Sequence, residues 1–488
     1  MNNDSRVLAD LEPKKVFEFF EDIANIPRGS GNTKLICDYC QNFATQRNLN
    51  YVRDEYNNII IFKPATKGYE DSAPVMIQGH LDMVCEKASD ISIDFETDGL
   101  NLAVKDGLVY AKGTTLGADD GIAVAYGLAI LDSDTIEHPP LEVIFTVDEE
   151  IGMLGATALD VSSLSSKIML NLDTEDEGYF LVSCAGGVTA SCVLPVKRVK
   201  VKGYEGFLKI EGLTGGHSGI EIDKCRANAN RLMGRLLYSL KYDFEFWIDY
   251  VRGGSKDNAI ARECEARLIF SEKTDLIELD RVVKELMSTY QWEFEATDPE
   301  LNISLECTLS PIMEDAISEE GTNRVITTLY TLPGGVQKMS RDIDGLVQTS
   351  LNMGILDTKD EEVTMSFSVR SSVSAEKVEL LTRIECLVKY MGGNVLLEGD
   401  YPAWEFKKDS KLRDLMVDVF TEQYGEEPVI YAVHAGVECG IFADKIPELD
   451  CVSFGPELKN IHTTKETMNI ESVQRTYELI KETLRRLK

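Results

Sequence analysis

The sequence predicts an α/β sandwich on a mostly parallel sheet, built from both chain ends, with an α+β domain inserted between them as a lid. Three observations lead there. A chain of 488 residues exceeds one ordinary hydrophobic core. Roughly its first 180 residues alternate helical and strand periodicities, the signature of a parallel α/β sheet. From about Gly187 the texture changes to amphipathic strands with intervening helices, and the alternation returns at Leu412. The expected boundaries are 1–186 with 399–488 for the α/β domain and 187–398 for the lid.

Each element follows from local pattern. Apolar residues recur at helical spacing over Lys14–Ala24, Thr33–Arg47 and Ala118–Leu131. Short apolar runs bounded by turn residues, Pro74–Gln78, Leu141–Val147 and Lys167–Leu172, read as strands buried on both faces. In the lid the order is strand, helix, two strands, helix, strand, and it then repeats. Asp223–Leu240 and Asn323–Leu332 take the first-helix position of two tandem copies, and Leu276–Tyr290 and Ala375–Met391 the second. The copies share no residue-level identity. Beyond them come a helix at Lys411–Tyr424, strands at Val429–Val433 and Asp450–Phe454, and a last helix from Glu471.

Composition excludes several classes. A formal net charge of −33 repels phosphate backbones, and no stripe of Lys or Arg offsets it, so nucleic acid is set aside. The polar stretch Met1–Asp10 lacks the apolar core of a secretory signal, and the smooth apolar run Gly121–Leu131 is too short to span a bilayer. Eleven scattered cysteines suit free thiols in a reducing compartment, so a cytoplasmic, membrane-free protein is expected. Cys37 and Cys40 form a CxxC within a helical pattern with no second pair, which reads as buried helix cysteines rather than a zinc knuckle. No phosphate loop of the GxxxxGK[ST] type occurs.

The chemistry is expected where strands end, because ligands of open α/β sheets bind beyond the carboxyl ends of the strands. Gly79-His80-Leu81-Asp82 follows the first buried strand, Asp148-Glu149-Glu150 the second and Asp173 the third, while a loop after Cys451–Phe454 leads to His462. Asp119 and Asp120 open the helix near Ala118. Alone, each has a bland reading as a solvated acid, a helix cap or a satisfied polar histidine. Their convergence changes this: two of only five histidines meet several acids, a donor set that suits zinc, manganese or cobalt. Residues two apart in an extended segment point the same way, so Asp82 can accept the spare ring N–H of His80. Glu149 and Glu150 cannot both face one metal easily, so one would ligate and the other take a proton from water. Spacing alone leaves their order open.

The strings GHLDMV, GTTLGADDGIAVA, FTVDEEIGMLGA, LNLDTEDEG, GGHSG and HTTKE resemble the M20 metallopeptidases, in order along essentially the whole chain. Within that family the likeness is to bacterial dipeptidases that accept Xaa-His. The resemblance implies a zinc-exopeptidase-like fold and two Zn²⁺ per chain, with Co²⁺ or Mn²⁺ as substitutes. It further implies that Asp119 bridges the ions, that Glu150 and His462 complete one site and His80 and Asp173 the other. Asp82 would orient His80, and Glu149 would be the general base. In the lid it assigns His217 to stabilising the tetrahedral intermediate and Asn258 and Arg370 to substrate binding, and beyond the lid it assigns Gly436 to the place where the backbone approaches the substrate; an Arg fork suits a peptide carboxylate. His434 reads as a supporting or structural residue, and His138, before two prolines, as turn chemistry.

The expected activity is hydrolysis of dipeptides with a free amino end, of broad specificity including Xaa-His, by a homodimer. The competing readings are an aminoacylase or carboxypeptidase of the same fold acting on N-blocked substrates, and a non-catalytic acidic metal-binding protein. Glu149 speaks against the last, since a binding protein needs ligands but no base.

Overall fold

The computed structural model describes residues 6–488, so the first half of the polar Met1–Asp10 stretch lies outside the described residues. The chain divides into two compact units. One runs to Ser183 and resumes over Phe406–Ala432 and Val437–Lys488; the other comprises Cys184–Glu405 and Val433–Gly436.

The first unit opens with α1 (Lys14–Ala24), α2 (Lys34–Gln46), β1 (Asn50–Arg53), β2 (Ile59–Lys63), β3 (Val75–His80), β4 (Leu102–Lys105) and β5 (Leu108–Ala111). There follow α3 (Ala118–Asp132), β6 (Leu141–Thr146), α4 (Leu154–Ala158), β7 (Ile168–Asn171) and β8 (Tyr179–Cys184). Helix α1 turns Val16, Phe17, Phe20 and Ile23 inward at helical spacing. Helix α2 buries Ile36, Cys37, Cys40 and Phe43, and burial pushes the Cys37 thiol up to about 12. All eleven cysteines are free thiols. Every residue of β3 and β6 is buried, as strands covered on both faces require. Helix α3 is apolar all round and packs on β3 and α1. No described helix is long and apolar enough to cross a membrane.

The second unit contains β9 (Gly186–Pro195), β10 (Arg198–Glu211), β11 (Gly216–His217), α5 (Ala229–Asp243), β12 (Phe246–Gly253), β13 (Ala259–Ile260), β14 (Cys264–Ser271), α6 (Leu276–Glu293), β15 (Asn302–Cys307) and β16 (Ile312–Ile317). It continues with α7 (Glu319–Thr331), β17 (Gly335–Met339), β18 (Val347–Thr358), β19 (Glu362–Ser371), α8 (Ser374–Tyr390) and β20 (Asn394–Tyr401). Its main sheet runs β15-β10-β14-β12-β18-β19-β9-β20, with β16 beside β10 and β17 beside β18. Read from the two outer edges, each half has the strand-helix-strand-strand-helix-strand order 4-1-3-2, and the halves meet where β12 pairs β18. The repeat is therefore nested, not in tandem. Strand β9 opens one half, the whole other half (β10 to β15) follows, and only then do α7, β18, β19, α8 and β20 finish the first. A helix was expected over Asp223–Leu240; instead a 3₁₀ turn occupies Ile222–Lys224, and α5 starts where the Asn228 side chain accepts from the Asn230 and Arg231 N–H groups. Helix α7 likewise starts ahead of the expected Asn323, because Ser318 caps it through the Gly321 N–H.

Back in the first unit come α9 (Lys411–Tyr424), β21 (Val429–Val433), α10 (Glu438–Lys445), β22 (Asp450–Ser453), β23 (Leu458–Lys459), β24 (Thr467–Asn469) and α11 (Ile470–Arg486). The large sheet of this unit has the order β1-β2-β6-β3-β7-β22-β8-β21, and β23, β24, β5 and β4 form a small one. The expected parallel pairing forms its centre: β6, β3, β7 and β22 are mutually parallel. Its flanks are antiparallel, β1 on β2, β2 on β6 and β8 on β22. The short Asp54–Asn58 connection between β1 and β2 leaves no room for the crossover that a parallel pair needs.

Candidate active site

The carboxyl ends of β3, β6 and β7 lead into His80 and Asp82, Glu149 and Glu150, and Asp173, while Asp119 stands at the start of α3 and His462 between β23 and β24. His80 closes β3 and is buried, and Asp82 lies just beyond it with a carboxylate oxygen 3.4 Å from His80 Nδ1. Asp82 is itself held by the Ser30 hydroxyl at 2.8 Å and by the backbone N–H groups of Glu149 and Glu150 at 3.1 and 3.3 Å. Burial opposes its charge, but His80 and these donors outweigh it, so its pKa falls to about 2. Asp119 and Asp120 have non-helical backbone angles, so the regular part of α3 begins only after them. Gly79 lets this turn come close: a Cβ there would lie 2.5 Å from both Ala123 Cβ and Asp120 Oδ2.

The Asp119 carboxylate is shared. One oxygen lies 3.1 Å from His80 Nε2 and the other 3.0 Å from His462 Nε2. Asp173 stands 3.5 Å from His80 Nε2, and Glu150 stands 2.9 Å from His462 Nε2. The donor atoms of His80, Asp119 and Asp173 lie within 4.8 Å of one another, as do those of Asp119, Glu150 and His462. Two three-residue sets sharing one bidentate carboxylate, with imidazole and carboxylate donors, fit two borderline-soft divalent cations. A third set, His80, Glu149 and Glu150, brings Glu149 to the same place.

The electrostatics are those of crowded acids around two imidazoles. Burial alone would lower His80, but Asp173, Asp119 and Asp82 hold it well above its usual value. Asp119 and Glu150 raise His462 to about 10. Glu149 is pushed up to about 9, first by burial and then by Asp173, Glu438 and Glu150, against the pull of His80. Asp173 rises to about 6, chiefly by burial.

Several groups that support this centre escaped the sequence reading. Glu466, in the same HTTKE string as His462, caps the turn that carries Asp119. The buried Arg28 guanidinium donates to the carbonyls of Leu81, Asp82 and Gly117. Beneath the strand ends the Gln78 side-chain amide donates to Thr146 Oγ1 at 3.2 Å and to Glu438 at 2.6 Å, and accepts from Asn171 at 2.5 Å. The usable signal was a polar residue inside each buried apolar run, Gln78 in VMIQGH and Asn171 in IMLN.

The second unit gathers the other expected residues. His217 lies on β11, whose pairing with β13 sets it opposite Ala259, and the Ser218 N–H donates to the Asn258 carbonyl at 2.8 Å. His217 Nδ1 accepts from the Gly219 and Ile220 N–H groups at 3.1 and 3.2 Å, which leaves the ring proton on Nε2. Arg370 on β19 is cross-strand from Ser350 and donates to the Tyr401 hydroxyl at 2.6 Å. Ser350 Oγ in turn meets His434 Nε2 at 2.7 Å, so His434 has a place in the same unit, as does Gly436. Burial and then the Arg370 charge lower His434 to about 3. His138 is buried in the first unit, its Nδ1 2.7 Å from the Pro139 carbonyl.

Comparison with known proteins agrees with this chemistry. Residues 76–486 match Peptidase family M20/M25/M40. The chain is 35% identical to the cytosol non-specific dipeptidase of Escherichia coli (strain K12), over 98% of this chain and 99% of the other. The crystal structure of aminoacylhistidine dipeptidase from Vibrio alginolyticus superposes with a TM-score of 0.93 at 33% identity, covering 99% of each chain. Aminopeptidase PepT from Bacillus cereus, at 16% identity and a TM-score of 0.55 over 98% of this chain and 99% of its own, shares the fold. This chain therefore belongs to Peptidase family M20/M25/M40 and is a metal-dependent peptide-bond hydrolase.

Proposed function

We propose that the protein is a cytoplasmic dipeptidase that holds two Zn²⁺ ions, replaceable by Co²⁺ or Mn²⁺, and cleaves dipeptides with a free amino end, including Xaa-His. The observation that carries this reading is the Asp119 carboxylate divided between His80 and His462, with Glu149 beside His80. Asp119 is assigned as the bridge, His80 and Asp173 as ligands of one ion, and Glu150 and His462 as ligands of the other. Bound there, the two cations would supply Lewis acidity and activate water, and their charge would favour the ionised form of Glu149 that burial opposes. Ionised Glu149 accepts the proton of the attacking water. Asp82 keeps His80 in one tautomer through the 3.4 Å contact to Nδ1, leaving Nε2 to coordinate.

In the second unit, His217 is assigned to the oxyanion, its Nε2 proton being the donor, and Arg370 to the substrate carboxylate. Asn258 and Gly436 are assigned to substrate contacts. The unit is read as a duplicated lid, supported by the matching strand order of its two halves. The dipeptide specificity and the cytosolic location rest on the names of the full-length relatives, and a homodimer is assigned with them. The test is release of amino acids from free and N-acetylated dipeptides, with chelator and with zinc restored. Zinc-dependent cleavage of the free dipeptides alone is expected; cleavage of the acetylated set alone would replace this reading with an aminoacylase.

A further inference from the structure

Glu466 ends the loop that carries His462 and is buried, with 3% of its surface exposed. One carboxylate oxygen accepts from the backbone N–H groups of Leu116 and Gly117 at 2.7 and 3.1 Å. The other accepts from Ala118 and Asp119 at 2.8 and 3.5 Å. Gly117 sits at φ +64°, and the four successive N–H groups converge as they do in backbone nests that bind anions. Here the anion is the chain's own side chain. The carbonyl side of the same turn is held by the opposite charge, since Arg28 donates to Gly117 O as well as to Leu81 O and Asp82 O. A Cβ at Gly117 or Gly121 would fall 2.5 or 2.6 Å from Arg28 Nη2, so both positions leave that room open.

Burying a carboxylate is costly unless its hydrogen bonds offset the lost hydration, and a hydroxyl cap would serve an ordinary turn. What the charge adds here is a link between two loops distant in sequence. The 116–119 turn ends in Asp119 and the loop ending at Glu466 contains His462, whose Nε2 is 3.0 Å from the Asp119 carboxylate. We propose that Glu466 is a positioning residue of the metal centre: it clamps the Leu116–Asp119 turn to its own loop and so sets Asp119 and His462 at the spacing one cation needs. This rests on the two-cation reading above.

The test measures zinc affinity and stoichiometry by competition with a chelating dye and by elemental analysis, for the full chain. Glu466→Gln keeps the shape, loses the charge and leaves one accepting oxygen. The control is Glu142→Gln. That carboxylate is also buried, accepts from the Ser165 and Ser166 N–H groups at 2.9 and 3.1 Å, and lies at the start of β6, at the strand end away from the ligands. The affinity of at least one zinc ion is expected to fall about 10- to 100-fold in Glu466→Gln, the usual effect of losing an outer partner of a ligand, while Glu142→Gln binds as wild type. Unchanged zinc binding in Glu466→Gln, or a loss that Glu142→Gln matches, overturns the proposal. If Glu466→Gln does not fold, Glu466→Asp, which retracts the charge by one methylene, is judged by the same outcomes. A wild-type chain that takes fewer than two zinc ions would instead defeat the parent reading.

Discussion

Glu149 and Glu150 are neighbours in sequence whose surroundings differ. Glu150 meets His462 at 2.9 Å, whereas Glu149 is driven up to about 9 by burial and by Asp173, Glu438 and Glu150. Glu149→Gln is therefore expected to cost about 10² to 10⁴ in kcat, the range of general base catalysis, with metal content unchanged by elemental analysis. His80→Ala and His462→Ala should lose metal in the same measurement. A Glu149→Gln enzyme of near-normal turnover would move the base elsewhere. His434 makes a second prediction at this scale. Its folded pKa, about 3, lies below the ordinary 6.5, so the unfolded chain binds the extra proton between those values. The contribution to stability is complete above pH 6.5 and is lost as pH falls toward 3, by up to about 1.4 kcal/mol per pH unit. In metal-free protein, His434→Gln should flatten the fall in Tm between pH 6.5 and 4; parallel curves for the two chains would refute this. The motif histidines and acids were legible from residue type and position, but the tautomer of His217 and the buried state of His434 were not: the folded turn aims the Gly219 and Ile220 N–H groups at His217 Nδ1, and Ser350, far along the chain, covers His434.

Among the elements, the three central strands are tied by side chains as well as by backbone. Thr146, Gln78 and Asn171 form a polar row across β6, β3 and β7, and Glu438 from α10 closes it. Replacing Gln78 with Leu leaves the Asn171 amide and the Glu438 carboxylate short of a partner in the core. A buried orphan costs about 1 to 3 kcal/mol, so Gln78→Leu should lower unfolding stability in urea by at least that much. Thr146→Val, which removes one hydroxyl and keeps the volume, should cost less. Equal stability of Gln78→Leu and wild type would show the row to be dispensable. Helix and strand positions were readable because apolar periodicity repeats over many residues. Helix starts shifted where single capping side chains, Asn228 and Ser318, settled them.

For the whole molecule, the proposed homodimer and the proposed substrate contacts of His217 and Arg370 lead to one test. His217 lies in one half of the second unit and Arg370 in the other, yet the Arg370 charge adds to burial in lowering the His217 pKa. We expect both to act on one site of their own chain. Mixing an Arg370→Ala chain with a His217→Ala chain, with subunit exchange verified, should then restore no activity; recovery in hybrids would show that the two residues serve different sites. Chelation should abolish turnover of wild type, and zinc, cobalt or manganese should restore it. The sequence by itself determined the α/β class, and it named the strand ends and the histidine and carboxylate donors that the fold brings together, because hydrophobic period and residue chemistry are local properties. Only the tertiary structure decided that the halves of the second unit are nested, since β9 pairs with β19 and β20 rather than with its neighbour β10. It also decided that Glu466 and Arg28 grip the turn before Asp119. Both depend on contacts between segments far apart in the chain, and no local pattern encodes which distant partner a buried charge or an edge strand will find.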